Sequence, residues 1–338
     1  MTDASIPSDP EGALERYLDS RDVTEATLYS HRSRLGHFIR WCREEADIDD
    51  LSELDGAAIN QYRNWRRDDG DLNRVTLKTQ MDTLRVFVRW CGRVGLVDDD
   101  LDTKVVSPTL RNGENERDVM LDSDVAETLL DHYDTYQYAS REHVVLHLAW
   151  RTMLRRGAIR AIDLDDYHPR DEYLEIRHRP KVNTPLKNQH EDERTVALKS
   201  DTVTLLNDWI DHKRPERTDD YGRDPLITTT YGRIHRNTIA VDIYAATRPC
   251  ISTGECPHNR DVENCTAATD RQQASKCPSS VSPHAVRRGG ITHWLSNDVP
   301  RPAVSDRANV SGDVLDKHYD RRTEREKMEQ RRRYLDDI

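Results

Sequence analysis

The 338-residue chain lacks the features that mark several classes of protein. It has two phenylalanines, and no stretch approaches the roughly 20 apolar residues that a membrane-spanning helix needs. The first residues carry neither the basic nor the apolar segment of a secretory signal. Six cysteines in such a chain are expected as thiols or metal ligands rather than as a disulfide framework. We therefore expect a soluble, cytoplasmic protein with no membrane partner.

Lysine is also scarce, with nine lysines among 51 basic residues. The 62 acidic residues bring the net charge to −11, which argues against a uniformly basic nucleic-acid binder. Few lysines and abundant surface acid suggest a halophilic source, where carboxylates maintain hydration and net charge says little about partners. The arginines remain able to bind phosphate in local clusters, because a guanidinium makes paired hydrogen bonds.

The hydrophobic pattern predicts two domains. Apolar residues at helical spacing predict a helical bundle over residues 11–105, followed by a polar linker at 106–117. Residues 118–338 form a larger mixed domain, in which Tyr173–Arg177 and Thr195–Leu198 alternate like two strands joined by a polar loop. The fold class is therefore mainly α with a small β-hairpin, an α+β arrangement.

The segment from Ser282 to Gly290 is the sharpest local motif. Ser282 followed by Pro283 is a helix start, with the serine as the cap and the proline in the first helical position. His284 and Arg287 then lie three residues apart on one face, near the positive end of the helix, where an anion is favoured. A His-x-x-Arg pair is also common on solvated helix faces.

Two further segments carry candidate functional residues. An apolar helix runs into Arg151, Arg155 and Arg156 before Gly157, which is also the pattern of a basic helix end that complements its own dipole. Tyr319 follows His318 in a charged stretch. Taken alone, this tyrosine could equally be a surface residue or a packing anchor.

In this order the three motifs resemble those of the tyrosine recombinase, or phage integrase, family, and the Xer-like members most closely. The positions that match its motifs are Thr152, Leu154, Arg155, Asp166, His284, Arg287 and Tyr319. The predicted hairpin loop lies where the family keeps a catalytic lysine, and we favour Lys187 there over Lys181. The resemblance covers nearly the whole chain beyond residue 10, with the helical N-terminal region as the core-binding domain.

The resemblance implies a site-specific recombinase that cuts and rejoins double-stranded DNA through a 3′-phosphotyrosine at Tyr319. Arg155 and Arg287 would bind the phosphate oxygens, His284 would assist proton movement, and Lys187 would protonate the leaving 5′-oxygen. The chemistry needs no cofactor, and a tetramer on DNA is implied, joined through the C-terminal tail. Further phosphate contacts are expected in the N-terminal domain from Arg40, Arg63, Arg66, Arg67, Arg74 and Lys78.

Three positions depart from the family pattern. Met153 replaces a glycine, and Ala158 stands where an acid usually follows the first arginine. Val310 occupies the position of a His or Trp that hydrogen-bonds the phosphate, a role that His318 could take over. These departures keep open a second function, that of a cleavage-deficient DNA-binding protein with a recombinase fold.

A cysteine-bearing insertion at about 250–277 precedes the helix of His284. Cys250, Cys256, Cys265 and Cys277 could bind a structural zinc ion, with His258 as an alternative ligand. Their spacings lack the Cys-x-x-Cys of common zinc modules, so free thiols in a loop are the alternative. A third function is therefore a zinc-stabilised interaction module attached to a helical protein.

Overall fold

The computed structural model describes residues 7–111, 114, 119–320, 322–332 and 335. The chain divides into two compact units, Met1–Arg117 and Asp118–Ile338, and each is described here by itself. In the described part of the chain, none of the helices combines the length and the apolar character required to cross a bilayer.

The N-terminal unit is a helical bundle. Its helices are α1 (Pro10–Asp19), α2 (Glu25–Trp41), α3 (Gly56–Asp69) and α4 (Arg74–Arg93). Each begins at a side chain that accepts a backbone N–H of its first turn: Asp9, Thr24, Asp55 and Asn73. The apolar faces meet around Phe38 and Phe87, which are fully buried. Cys42 and Cys91 lie in the same core, and burial raises the pKa of each thiol to about 12.

The C-terminal unit is larger and mainly helical. Its helices are α5 (Ser123–Tyr136), α6 (Arg141–Thr152), α7 (Arg156–Ala161), α8 (Ser200–Asp208), α9 (Arg236–Ala246), α10 (Pro249–Thr253), α11 (Thr266–Thr269), α12 (Pro283–Ser296), α13 (Arg301–Ala308), α14 (Gly312–His318) and α15 (Glu324–Arg332). Helix α6 is buried on every side from His143 to Trp150. Because such a helix has no solvated face, the other elements pack around it as the centre of the core.

Two small antiparallel sheets complete this unit. The strands are β1 (Tyr167–His168), β2 (Tyr173–Ile176), β3 (Arg194–Ala197), β4 (Thr228–Thr229) and β5 (Gly232–Arg233), in the orders β1-β2-β3 and β4-β5. Leu174 pairs with Val196, and both side chains are buried in the main core. The predicted class, mainly α with a small hairpin, is confirmed, and the β2–β3 loop carries Lys187.

A second, smaller apolar cluster joins the last helices of the C-terminal unit. Its buried members are Met153, Ile291, Leu295, Val304, Ala308, Val310, Leu315 and Tyr319. They come from the end of α6 and from α12, α13 and α14 with their connections. This cluster therefore brings Tyr319, which follows α14, against the helix that carries His284 and Arg287.

Helix α12 approaches α6 closely at two adjacent glycines. A Cβ atom on Gly289 would lie 2.0 Å from the carbonyl oxygen of Leu121 and 2.8 Å from Cζ3 of Trp150. A Cβ atom on Gly290 would lie 2.8 Å from the carbonyl oxygen of Trp150. Two of these three neighbours are backbone atoms, which cannot rotate away, so only glycine fits this contact.

We predict that Gly289→Ala destabilises the C-terminal unit by at least about 1–3 kcal/mol, the usual cost of overpacking a core. Gly157→Ala is the matched control, since nothing lies within 4 Å of its added Cβ in helix α7. That variant should be neutral or more stable by about 0.5–1 kcal/mol. Urea unfolding followed by circular dichroism measures both, and equal midpoints for Gly289→Ala and the wild type would contradict the prediction.

Candidate active site

Arg287 is the buried centre of the site. Ser282 caps α12 by accepting from the N–H of Ala285, and the helix then carries Arg287 into the protein interior, where 1% of the residue is exposed. One terminal nitrogen donates to the carbonyl of Met153 and the other donates to the carbonyl of Ala308 at 2.6 Å. The side chain of Tyr319 is a further hydrogen-bond partner of this guanidinium, and among the described residues its Nε finds no acceptor. Burial lowers the pKa of Arg287 to about 10, so it remains a cation at neutral pH.

Arg155 lies at the start of α7, after α6 has ended at a left-handed residue. That residue is Met153, with φ of 56°, a conformation that favours glycine and that the side chain of Met153 adopts while fully buried. Arg155 donates from Nη1 to Oδ1 of Asp192 at 2.9 Å and from Nη2 to the carbonyl of Asn309 at 3.1 Å. Its guanidinium is therefore oriented by a carboxylate, whereas the partners of Arg287 among the described residues are backbone carbonyls and the side chain of Tyr319.

Asp192 connects the loop of Lys187 to this arginine. Its buried carboxylate also accepts from the backbone N–H of Asn188 at 2.9 Å and from the side-chain amide of Asn309. Ala158, which replaces the acid expected after the first arginine, is buried in the main core. The carboxylate beside Arg155 thus comes from another part of the chain, and sequence analysis missed it because its partner lies 37 residues away.

Asp166 supports the base of the same loop. Its carboxylate is 2% exposed and accepts from both terminal nitrogens of Arg179, from Nη1 at 2.9 Å. The backbone of Arg179 in turn pairs with Thr184 in an isolated antiparallel bridge. Asp166 therefore fixes the point from which the chain continues to Lys187, an exposed residue in a turn.

Tyr319 faces His284 and Arg287. Its ring centroid lies 5.5 Å from that of His284, at an interplanar angle of 60°, and 5.7 Å from the guanidinium carbon of Arg287. The carbonyl of Tyr319 accepts from the hydroxyl of Thr292 on α12 at 2.7 Å. Tyr319 is 6% exposed, and Val310 is equally buried in the same apolar cluster. The side chain of the valine therefore fills space beside the site and offers no hydrogen bond.

The surroundings of His284 favour its neutral form. Its pKa falls to about 4, chiefly because the ring is desolvated, although the residue as a whole is exposed. The positive charges of Arg288, Arg287, Lys187 and Arg155 lower it further. Three of the five predicted catalytic residues, Arg155, Lys187 and Arg287, thus act electrostatically on His284, and Tyr319 is in ring contact with it. Lys181, in the short 3-10 helix Pro180–Val182, is not among the charges with the largest effect on His284.

The four cysteines of the insertion border one small cavity, of about 10 Å³, together with His258. In the described residues, however, no group of three or more His, Cys, Asp or Glu side chains is placed to hold a metal ion.

The basic residues of the N-terminal unit are largely engaged with neighbours. Arg66 is 5% exposed and donates to Gln80 at 2.8 Å and to Asp69 at 3.2 Å, so its guanidinium is paired with neighbouring side chains. Arg40 packs on the ring of Trp65 with 4.8 Å between guanidinium carbon and ring centroid, and Lys78 pairs with Asp82. The exposed Arg67 pairs with its neighbour Asp68, a contact that solvent screens strongly.

The tail after Tyr319 is described in part. Arg322 makes two hydrogen bonds to the carboxylate of Asp320 and donates to the carbonyl of Leu295 at 3.0 Å. The side chain of His318, considered as a substitute at the phosphate, lies outside the described residues, as does Tyr334.

We predict that Lys187→Met raises the pKa of His284, since it removes a positive charge from its surroundings. The shift should be roughly a few tenths of a pH unit, the size expected of one charge at a partly solvated site. Lys181→Met is the matched control and should leave His284 unchanged. NMR titration of the labelled imidazole measures this. A shift in Lys181→Met but none in Lys187→Met would contradict the placement of the loop.

Comparisons with known proteins identify the fold. No protein-family model matches the sequence, and no curated protein does. Among solved structures, the Tn1549 transposon integrase in complex with circular intermediate DNA has a TM-score of 0.65 at 13% identity, covering 97% of this chain and 100% of that chain. A lambda integrase dimer bound to a COC′ core site has a TM-score of 0.61 at 14% identity, covering 93% of this chain and 96% of that chain.

A third similarity is confined to one part of the chain. The N-terminal domain of a phage integrase/site-specific recombinase from Haloarcula marismortui is 38% identical, covering 30% of this chain and 96% of that domain. Its TM-score of 0.28 is too low to bear on the fold. The two integrases span nearly all of this chain at TM-scores above 0.6, over both units. The chain therefore has the fold of the tyrosine recombinases and integrases.

Proposed function

We propose that the chain is a site-specific DNA recombinase that breaks and rejoins DNA strands through a 3′-phosphotyrosine at Tyr319. One observation carries the proposal. The buried cation of Arg287, which has carbonyl partners among the described residues, lies beside Tyr319 and His284. Burying an ion without an opposite charge costs roughly several kcal/mol, so such a site favours an anion. A DNA phosphate is the anion that an adjacent tyrosine can attack.

The two arginines would divide the work of binding that phosphate. Carbonyl groups hold Arg287 in one orientation without neutralising it. Its positive charge can therefore stabilise the negative charge that develops on the phosphate in the transition state. Arg155, oriented by Asp192, would contact a second non-bridging oxygen. The positive charge thus comes from the protein itself, and the proposed chemistry uses no cofactor.

Proton transfer would involve His284 and Lys187. The hydroxyl oxygen of Tyr319 forms a bond to phosphorus while the bond from phosphorus to the 5′-oxygen breaks. His284 is neutral at pH 7 and can accept the tyrosine proton. Lys187, on an exposed turn, would give a proton to the leaving 5′-oxygen. Rejoining reverses these steps when a 5′-hydroxyl attacks the phosphotyrosine, so the energy of the phosphodiester is retained.

A non-cleaving DNA-binding protein is the second candidate. It is favoured by Val310, whose side chain offers no hydrogen bond, and by the burial of Tyr319, which leaves 6% of the residue exposed. A DNA strand must therefore displace part of the apolar cluster around Tyr319 before attack can occur. A nicked suicide substrate separates the candidates, since only a cleaving enzyme becomes covalently trapped on it.

Double-stranded DNA is the proposed partner, with a homo-tetramer assembled through the C-terminal tail. The support comes from the solved relatives, since lambda integrase is known as a dimer bound to a core site and as a tetramer bound to a Holliday junction. Scarce lysine and the charge of −11 further lead us to propose a high-salt cytoplasm as the working environment.

We predict that Tyr319→Phe abolishes covalent attachment to a nicked substrate while leaving DNA affinity within about threefold, because only the nucleophilic hydroxyl is lost. Tyr231→Phe is the matched control, since Tyr231 is 98% exposed on the β4–β5 hairpin. It should form adduct like the wild type. Denaturing gel electrophoresis measures the adduct, and an adduct formed by Tyr319→Phe would overturn the assignment.

Lys187→Ala should slow cleavage of ordinary DNA by about 10²–10⁴-fold, the usual contribution of a general acid. A 5′-bridging phosphorothiolate has a leaving group that needs no proton, so this substrate should restore cleavage by Lys187→Ala. Lys181→Ala, in the same loop, should cleave both substrates like the wild type. If the sulfur substrate rescues Lys181→Ala instead, the general acid has been placed on the wrong lysine.

A further inference from the structure

The segment 249–280 has almost no hydrophobic core of its own. Its regular elements are α10 and α11, of five and four residues, and a 3-10 helix at Arg271–Lys276. Ala267 and Ala274 are its buried apolar residues, and neither contributes more than a methyl group. Helices this short are unstable in isolation, and a small segment without a core needs a disulfide, a metal ion or another cross-link to hold its structure.

The four cysteines of this segment share one backbone setting. Each lies at the beginning of a tight turn, and its carbonyl accepts a backbone N–H three or four residues later. The hydrogen bonds are from Gly254 to Cys250 at 3.1 Å, from Asn259 to Cys256 at 3.1 Å, from Ala268 to Cys265 at 2.8 Å and from Ser280 to Cys277 at 3.1 Å. The turns restrain the backbone on which each thiol is mounted.

All four thiols border the same cavity. Its volume of about 10 Å³ is close to one water-sized sphere, so it has room for a single ion and not for a cluster of several metal atoms. None of the four residues is in an apolar core, and each is partly exposed, in contrast to Cys42 and Cys91. Four sulfur atoms around a void of ionic size are not needed for packing, since a cavity contributes no contacts.

We propose that Cys250, Cys256, Cys265 and Cys277 bind one structural zinc ion in this cavity. Four thiolates are the ligand set of closed, tetrahedral structural zinc sites, and zinc lies about 2.3 Å from each sulfur. Because no three ligating side chains of the described residues are yet within reach of one ion, binding must draw the four turns inward. His258, whose Nε2 lies 2.9 Å from Oγ of Ser279, stays outside the ligand set as a neighbour.

The position of this site gives it a structural role. Arg271, between Cys265 and Cys277, pairs with Asp242 of α9 and Glu142 of α6. At the end of the segment, the N–H of Val281 donates to Thr247 at 3.0 Å, one residue before the cap of α12. Zinc would therefore hold the chain that leads into the helix of His284 and Arg287. The proposal does not depend on whether the protein cleaves DNA.

The test is elemental analysis of the full chain, purified without a histidine tag and dialysed against buffer of low metal content. We expect one zinc per chain, released in proportion as a mercurial reagent titrates the thiols. Cys256→Ser and Cys277→Ser should each lose at least nine-tenths of the zinc. Cys42→Ala, a cysteine buried in the N-terminal core, is the matched control and should keep it.

Cobalt(II) added to the chelator-treated chain gives an independent readout that does not require activity. We expect intense sulfur-to-cobalt charge-transfer absorption with the spectrum of four thiolates, and no change in that spectrum in His258→Ala. Loss of zinc should also expose residues 249–280 to limited proteolysis. Three outcomes would overturn the proposal: no stoichiometric zinc, four thiols that alkylate freely in the folded chain, or a mass that shows disulfides between them.

Discussion

The buried guanidinium of Arg287 is the constraint on which the arrangement of the C-terminal unit depends. Its two terminal nitrogens bind the carbonyls of Met153 and Ala308, which are the residues at which α6 and α13 end. The helix that carries it can reach that depth because Gly289 allows contact with the backbone of Leu121 and Gly290 allows contact with the backbone of α6. The ends of two helices and the close packing of α12 thus together position the side chain of Arg287. As a result, Arg287 keeps its positive charge inside the protein.

Arg155 is held in a different way, by a carboxylate. Its partner is the carboxylate of Asp192, which also binds Asn188 in the loop of Lys187 and Asn309 after α13. A carboxylate attracts an arginine more strongly than a carbonyl does, so this pair fixes geometry at the expense of net charge. The pair of Arg155 and Asp192 thus has no net charge, whereas Arg287 contributes a net positive charge to the site. The combined site can orient a phosphate through the first and attract it through the second.

Local chemistry explains what the sequence could predict. The Ser282–Pro283 helix start, the strands of the hairpin and the helical character of the N-terminal unit depend on near neighbours, and all were predicted from residue types and spacing. The role of Asp192 depends on a fold contact across 37 residues, so no local pattern marks it. The burial of Arg66 escapes sequence analysis for a related reason, because it depends on packing against Gln80 of the next helix.

Two departures from the family pattern also acquire a physical meaning that spacing could not supply. Met153 occupies a left-handed position, where the family's glycine would adopt the same backbone without strain, and its side chain instead fills the apolar cluster beneath Tyr319. Val310 fills the same cluster. The neighbourhood of the tyrosine is therefore more apolar than the family pattern implies, and the phosphate would depend more heavily on Arg155, Arg287 and His284.

The most direct test of this account is to identify the amino acid that becomes joined to DNA. The covalent complex formed on a nicked duplex would be digested with protease and nuclease, and the peptide that carries a nucleotide would be sequenced by tandem mass spectrometry. We expect a nucleotide joined through its 3′-phosphate to Tyr319. A nucleotide on any other residue, Tyr334 included, or DNA that is bound but never joined to the protein, would contradict it.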